Sequence, residues 1–290
     1  MPGKSRILLF RKVISMTGII DVGGGMRDIY GAGVLDYFLD NNITFDVCIG
    51  VSAGSANLAS FLAKQRGRTY RFYAEFSSRK EYMSYGNMLK TGSFFNLDYI
   101  YSDLSDSDGE CPLNFEELEK SESQLITVVT NADTGEAEYF TKEDIAKDDL
   151  WTIKASCAMP VACKPFIHDG KRYADGGVAA PIPVEKAIEM GCDKVYVIIP
   201  RPAIRKNREF SSLMKPFLKD SPKVLELMKR RPEIYNSQLD ALERYVKEGK
   251  AVIISPDNDK GLNMITTDAK KLTDYYNTGY TDAKKIFAET

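Results

Sequence analysis

Two successive strand–glycine turn–helix units near the start of the chain constrain the fold more than any other feature. Residues 15–22 (SMTGIIDV) read as a buried strand, and Gly23-Gly24-Gly25 follows it directly. Residues 29–39 then carry Tyr30, Val34, Leu35, Phe38 and Leu39 at helical spacing, and Asn41-Asn42 ends that helix. Residues 45–49 form a second short strand, Gly50-Val51-Ser52-Ala53-Gly54 turns from it, and the alanine- and leucine-rich residues 56–64 make a second helix. Strands alternating with helices in this way form a parallel sheet flanked by helices. Further along, residues 124–130 and 137–141 read as a strand pair. Residues 164–167 and 172–174 flank the tight turn His168-Asp169-Gly170-Lys171. A short helix over 183–190 and a strand over 194–199 follow. The last ninety residues read as helical apart from the apolar strand 251–255. With no internal repeat and no low-complexity linker, the expectation is one domain over residues 1–290. Its core spans about 15–200 and a mainly helical layer spans about 201–290.

Composition narrows the function classes. The 290 residues carry 39 Lys plus Arg against 41 Asp plus Glu, a net charge of -2, and a protein built to coat nucleic acid would be strongly basic. A single histidine, His168, excludes mechanisms and zinc sites that need two. Five scattered cysteines without a CxxC fit reduced thiols in a cytoplasm. A metal site from Cys157, Cys163 and His168 matches no zinc spacing, so no metal and no cofactor is expected. The apolar run at 7–10 is broken by Arg11 and Lys12, too short for a secretory leader. No stretch is long enough to span a membrane. The expected location is cytoplasmic, with contact at a membrane surface as an option.

Three constellations carry chemistry. Gly50-Val51-Ser52-Ala53-Gly54 fits G-x-S-x-G, with a strand before it and a helix after it. In that context the serine sits on a strained turn and projects from the sheet at a helix N-terminus, while small residues two positions away let strand and helix pass closely. The bland alternative is an ordinary turn with a serine cap. Gly23-Gly24-Gly25-Met26-Arg27 opens a helix and can turn backbone N–H groups toward a developing oxyanion. A phosphate loop would need G-x-x-x-x-G-K-[ST], which is absent. A dinucleotide loop would need glycine where Asp28 stands. The oxyanion reading therefore ranks first. Arg27 either orients the loop, meets a phosphate or makes a surface ion pair. The base that a serine hydroxyl needs has two candidates: His168, at a turn where polar residues are expected anyway, and Asp175, which a strand delivers to the turn Asp175-Gly176-Gly177. Counting residues does not choose between them.

These residues together resemble the patatin-like phospholipase family. GGGMRD is similar to its G-G-G-x-[RK]-G oxyanion motif, GVSAG to its nucleophile elbow, and Asp175-Gly176-Gly177 to its D-G-[GA] motif. The stretch Ala155-Ser156-Cys157-Ala158-Met159-Pro160 is similar to its A-S-x-A-x-P segment, and residues 230–280 to the tail of bacterial members. The resemblance implies a three-layer α/β/α sandwich with a mainly parallel sheet, related to acyl-carrier-protein transacylases. It implies a lipid acyl hydrolase of the phospholipase A or lysophospholipase type, with Ser52 as nucleophile and Asp175 as base. Gly24, Gly25 and Met26 would be the oxyanion donors, supported by Gly23, Arg27, Gly50, Gly54, Gly176 and Gly177. It needs no metal and no histidine. Acyl transfer on the same fold, and lipid binding without catalysis, are the alternatives. Asp28 departs from the family glycine, which would either change the loop's backbone angle or bring a negative charge to the oxyanion.

Two further features follow the same logic. Residues 68–101 hold ten of the chain's aromatics, more than twice an even share. Helices packed on the sheet are the plainer reading, and a wall around an acyl chain is the functional one. The basic clusters around 201–208 (Arg201, Arg205, Lys206, Arg208) and 229–231 (Lys229, Arg230, Arg231) either form solvated faces, the favoured reading, or meet anionic headgroups.

Overall fold

A computed structural model describes residues 15–205 and 210–288. The apolar run at 7–10, Lys206 and Arg208 lie outside the described residues. Eight strands among the described residues form one mixed sheet: β1 (Thr17–Asp21), β2 (Val47–Val51), β3 (Gln124–Asn131), β4 (Ala137–Thr141), β5 (Phe166–His168), β6 (Lys171–Asp175), β7 (Lys194–Ile198) and β8 (Ala251–Ile254). The order is β5-β6-β3-β2-β1-β7-β8, with β4 paired to β3 off this path. The five strands β3-β2-β1-β7-β8 run parallel, while β4, β5 and β6 pair antiparallel. β1 and β2 are buried along nearly their whole length, as strands covered on both faces are.

Among the described residues, ten α-helices surround the sheet: α1 (Ile29–Asp40), α2 (Ala53–Leu62), α3 (Arg68–Arg71), α4 (Tyr85–Thr91), α5 (Phe115–Lys120), α6 (Trp151–Ser156), α7 (Val184–Glu189), α8 (Pro222–Lys229), α9 (Arg231–Lys247) and α10 (Ala269–Ala288). Two apolar layers result. One joins α1, α2 and α10 through Tyr30, Phe38, Leu58, Leu272 and Tyr275. The other lies on the opposite face, where Val195, Val197, Tyr235, Leu239 and Leu242 bring α9 against the sheet. The sandwich architecture is therefore as expected, with helices on both faces. The C-terminal helix is tied to α1 by Tyr276 Oη donating to Asp36 Oδ2 at 2.6 Å and Tyr280 Oη to Asp40 Oδ2 at 3.0 Å.

The register of β3 matters most for function. β2 runs along β3 until Val51 pairs with Val128. β6 arrives from the opposite direction, and its last residue, Asp175, pairs with Val129. β4 spans Ile126 to Thr130 of the same strand, so it holds the other edge. β2 and β6 thus meet end to end along one side of β3. Whatever follows Val51 is placed beside Asp175.

Candidate active site

Ser52 follows Val51 directly, with φ 54° and ψ -132°. A non-glycine residue rarely adopts such a φ, and its persistence marks a position the surrounding structure enforces. Two observations show the enforcement. The backbone N–H of Ser52 donates to Ser156 Oγ at 2.8 Å, and that hydroxyl donates on to the Val128 carbonyl at 2.6 Å. A Cβ on Gly54 would lie 2.2 Å from the Asp21 carbonyl oxygen, so only glycine lets α2 pass so close to β1. Gly50 makes the matching approach on the other side, against Ser55.

The hydroxyl reaches Asp175. Ser52 Oγ donates to Asp175 Oδ2 at 2.6 Å. The other carboxylate oxygen, Oδ1, accepts the Gly177 N–H at 2.8 Å. Gly176 packs against the Val128 carbonyl, and the Arg231 guanidinium donates to the Gly177 carbonyl. Burial raises the Asp175 pKa above the ordinary carboxylate range, while Ser52, Arg231 and the Gly177 N–H pull it back down. A desolvated carboxylate touching a serine hydroxyl can take its proton. His168 is elsewhere: its ring stacks on Trp151, with centroids 3.8 Å apart, on the β5–β6 hairpin. Cys157 is half-buried beside Tyr101, and Cys163 is buried beside the Phe95 carbonyl. Among the described residues, no three acidic, cysteine or histidine groups are arranged to hold a metal.

The glycine loop lies beside Ser52. Gly23, Gly24 and Gly25 line the same cleft as Ser52 and Asp175, followed by Arg27. Gly25 has φ 60°, and a Cβ there would sit 2.8 Å from the Met264 carbonyl oxygen. The Gly23 N–H donates to Asp21 Oδ1 at 3.2 Å, and the Met26 N–H to the Met264 carbonyl at 3.2 Å. The N–H groups of Gly24 and Gly25 carry no hydrogen bond among the described residues. Of the three expected donors, Met26 is therefore engaged with the C-terminal segment, and Gly24 and Gly25 are open.

Asp28 does neither thing expected of it. Its φ of -75° is ordinary, so the loop is not bent on its account. Its carboxyl is fully buried away from the cleft, beneath α1 and α2. There Asn57 Nδ2 donates to Asp28 Oδ2 and to Asp21 Oδ2, each at 3.0 Å. A Cβ on Gly31 would lie 2.7 Å from Asp21 Oδ2 and 2.8 Å from Asp28 Oδ1, which places the two acids face to face. Asp28 Oδ1 meets no conventional donor. Burial and the neighbouring Asp21 hold the Asp28 pKa well above its usual range, and burial lifts Asp21 to about 6. Burial thus favours the uncharged form of this pair, and of Asp28 more than of Asp21. Asp21 in turn anchors the glycine loop through Gly23.

Two spaces open from Ser52. One is a small, mainly apolar chamber of about 70 Å³, walled by Phe72, Tyr73, Tyr82, Phe95 and Tyr101 with Met26. The aromatic stretch is therefore both packing and wall, in short helical turns. The other is a cleft of about 470 Å³ that contains Asp175 and the glycine loop. One residue of each basic cluster turns into it, Arg201 and Arg231, while Arg205, Lys229 and Arg230 stay exposed. Met228, Met264 and Ile265, from the C-terminal segment, line it too. Ser156, Asn57 and Met264 had no individual role legible beforehand. Ser156 stood inside a motif, but its hydrogen bonds depend on the fold.

The comparisons with known proteins agree with this geometry. A family model described as patatin-like phospholipase matches residues 22–188, from the glycine loop through the Asp175 turn. A second model, a domain of unknown function (DUF6363), matches residues 221–290. An uncharacterized protein of Escherichia coli K12, YjjU, is 29% identical over 183 residues, which cover 61% of this chain and 49% of that protein. The chain thus spans about half the length of that relative. The solved structure of VipD from Legionella pneumophila superposes with a TM-score of 0.51 over 95% of this chain and 67% of that chain, at 11% identity, a likeness of fold alone. With the glycine loop, the serine elbow and the Asp175 turn all inside the matched span, the chain belongs to the patatin-like phospholipase family.

Proposed function

We propose that the chain hydrolyses lipid acyl esters, in the manner of a phospholipase A or lysophospholipase, with Ser52 as nucleophile and Asp175 as base. The observation that carries this reading is the 2.6 Å hydrogen bond from Ser52 Oγ, on its strained turn, to the buried Asp175 carboxylate. As Oγ attacks the ester carbonyl carbon, Asp175 Oδ2 takes its proton. The charge that forms on the carbonyl oxygen meets the N–H groups of Gly24 and Gly25, with Met26 as a third donor when the Met264 carbonyl withdraws. Oxyanion donors of this kind are each worth about 3–4 kcal/mol. Collapse expels the alcohol, which receives the proton from Asp175. Water, giving its proton to Asp175, then cleaves the acyl-enzyme. The fatty acid leaves and Ser52 recovers its proton.

We place this activity in a single domain at a membrane surface, without nucleic acid and without a cofactor. No helix among the described residues is long and apolar enough to cross a membrane. The segments that give Tyr85, Met88 and Met214 to the cleft leave Leu89 89%, Leu213 82% and Phe217 64% exposed beside it. Such side chains suit insertion at a lipid interface, from a cytoplasmic side. The test is fatty acid release from lysophospholipid micelles. Wild type should release it, and Ser52→Ala and Asp175→Asn, both shown to be folded, should not. Full activity in Ser52→Ala would end the proposal. The Met264 carbonyl on the Met26 N–H favours one second reading, lipid binding without turnover. That reading requires lipid binding to wild type with no covalent labelling of Ser52.

A further inference from the structure

The cleft beside Ser52 is strongly cationic for a site meant to hold lipid. Three guanidinium groups line it, and Asp175 is the sole acid among the described residues that do so. They come from separate elements, each tied to the catalytic geometry. Arg27 follows the glycine loop. Arg201 follows β7, on a loop whose Pro200 packs on Gly24 and whose Pro200 carbonyl accepts from Tyr275 Oη at 3.2 Å. Arg231 opens α9 and donates to the Gly177 carbonyl. The Nε atoms of Arg27 and Arg201 are buried and find no protein partner among the described residues. The Arg201 guanidinium also sits over the buried Tyr235 ring, 5.0 Å from its centroid, which fixes where it points.

This arrangement is costly without a ligand. Like charges repel strongly in a partly desolvated cleft. Arg27 and Arg231 each lose basicity through burial and through the neighbouring Arg201. Arg231 also stands at the positive end of a 17-residue helix, where a cation is disfavoured unless an anion faces it. Asp28 does not line the cleft; its carboxyl is buried beside Asp21. Among the residues lining the cleft, three guanidinium groups face one carboxylate, so positive groups outnumber negative ones. Planar guanidinium groups supply paired donors to a phosphate or carboxylate.

Resting on the hydrolase reading above, we propose that Arg27, Arg201 and Arg231 form an anion subsite that receives a phosphate monoester, or a comparably dianionic group, on the alcohol part of the acyl ester. The acyl part lies toward the aromatic chamber and the charged part toward the arginines. Zwitterionic lipids, which add a cation, and neutral glycerides are poorer substrates. The C-terminal segment then has a stated task, since Arg231 lies within the uncharacterised 221–290 module.

The experiment has two arms. The first compares fatty acid release from lysophosphatidic acid and from the monoacylglycerol with the same chain, in mixed detergent micelles, for wild type, Arg201→Met and Arg201→Lys. Wild type should prefer the phosphate ester by about tenfold or more in kcat/KM, the scale of a charge-assisted contact. Arg201→Met should lose that preference, with a much larger fall on the phosphate ester than on the neutral one, and Arg201→Lys should recover part of it. Equal turnover of the two esters by wild type, or an equal fall on both in Arg201→Met, would overturn the proposal. The second arm measures glycerol 3-phosphate binding to Ser52→Ala by calorimetry, with glycerol as control. Binding that Arg201→Met abolishes supports the subsite, and absence of binding overturns it. If glycerol 3-phosphate binds while both esters are cleaved equally, the site takes free phosphate and the substrate assignment fails. If neither ester is cleaved but binding depends on Arg201, the hydrolase reading fails and the anion subsite stands.

Discussion

On one side of Ser52 the walls are aromatic and the space small; on the other they are cationic and the space wide. The aromatic chamber comes mostly from one continuous stretch, residues 72 to 101, whose rings bury against each other and against α2. The cationic cleft is assembled from residues 27, 201 and 231, which meet only in the folded chain. Local composition can announce the first kind of wall. The second needs topology. The difference also assigns direction to a bound ester, because burying an apolar chain is favourable near rings, while burying a charge is favourable only near its opposite.

The largest expected effect breaks both sides at once. Asp175→Asn keeps the shape but removes the base, and kcat should fall by about a thousandfold or more, as measured by fatty acid release at saturating substrate. A tenfold effect or less would move the base to another group. Next comes the cationic side, where Arg231→Met should shift the acid limb of the kcat/KM profile to higher pH. Asp175 must be ionised to act, burial already raises its pKa, and Arg231 is one of the groups that lower it. Activity is therefore lost as pH falls, at a higher pH than an exposed aspartate near 3.9 would give, and higher still without the arginine. An unmoved limb would detach Arg231 from the dyad.

The aromatic side is sharpened by Ala56→Leu, which adds bulk to a chamber of about 70 Å³. Each buried methylene is worth about 0.8 kcal/mol. A series of p-nitrophenyl esters should show longer acyl groups losing more than short ones, with the phosphate preference intact. A uniform loss across chain lengths would mean that the chain does not enter there.

The smallest effect concerns stability beneath the loop. Folding raises the pKa of both Asp21 and Asp28, so the folded protein holds their protons more tightly than the unfolded chain. Their contribution is fully present below about pH 4 and is lost as pH rises through the folded values, starting with Asp21 at about 6. Each such proton changes stability by about 1.4 kcal/mol per pH unit across its window. Asp28→Asn leaves one acid and supplies a permanent donor toward Asp21. Melting temperatures between pH 5 and 9 should fall less steeply in this variant than in wild type. Parallel curves would show that the two acids do not share a proton.

Much of this was legible in the chain. The two strand–turn–helix units, the elbow and the β5–β6 hairpin stand about where periodicity and glycines place them, because each is a local device. The turn at Asp169-Gly170 has φ 48° and 76°, as a two-residue hairpin requires. That Ser52 meets Asp175 rather than His168 was not legible, because it depends on β2 and β6 meeting end to end on β3, at Val128 and Val129. Arg201 and Arg231 stood in basic runs that read as solvated faces, and nothing local separates the inward residue of a run from its neighbours. Asp28 was conspicuous as a departure, yet its place beneath the loop and away from the cleft follows from Asn57 and Asp21, which only packing brings to it.

The central claim is that Ser52 is activated by Asp175, and intact-mass labelling with a fluorophosphonate probe addresses it without choosing a substrate. Wild type should gain one adduct, Ser52→Ala none, and folded Asp175→Asn little or none in the same time. A wild-type protein that stays unlabelled, or an Asp175→Asn variant that labels as fast as wild type, would contradict the account.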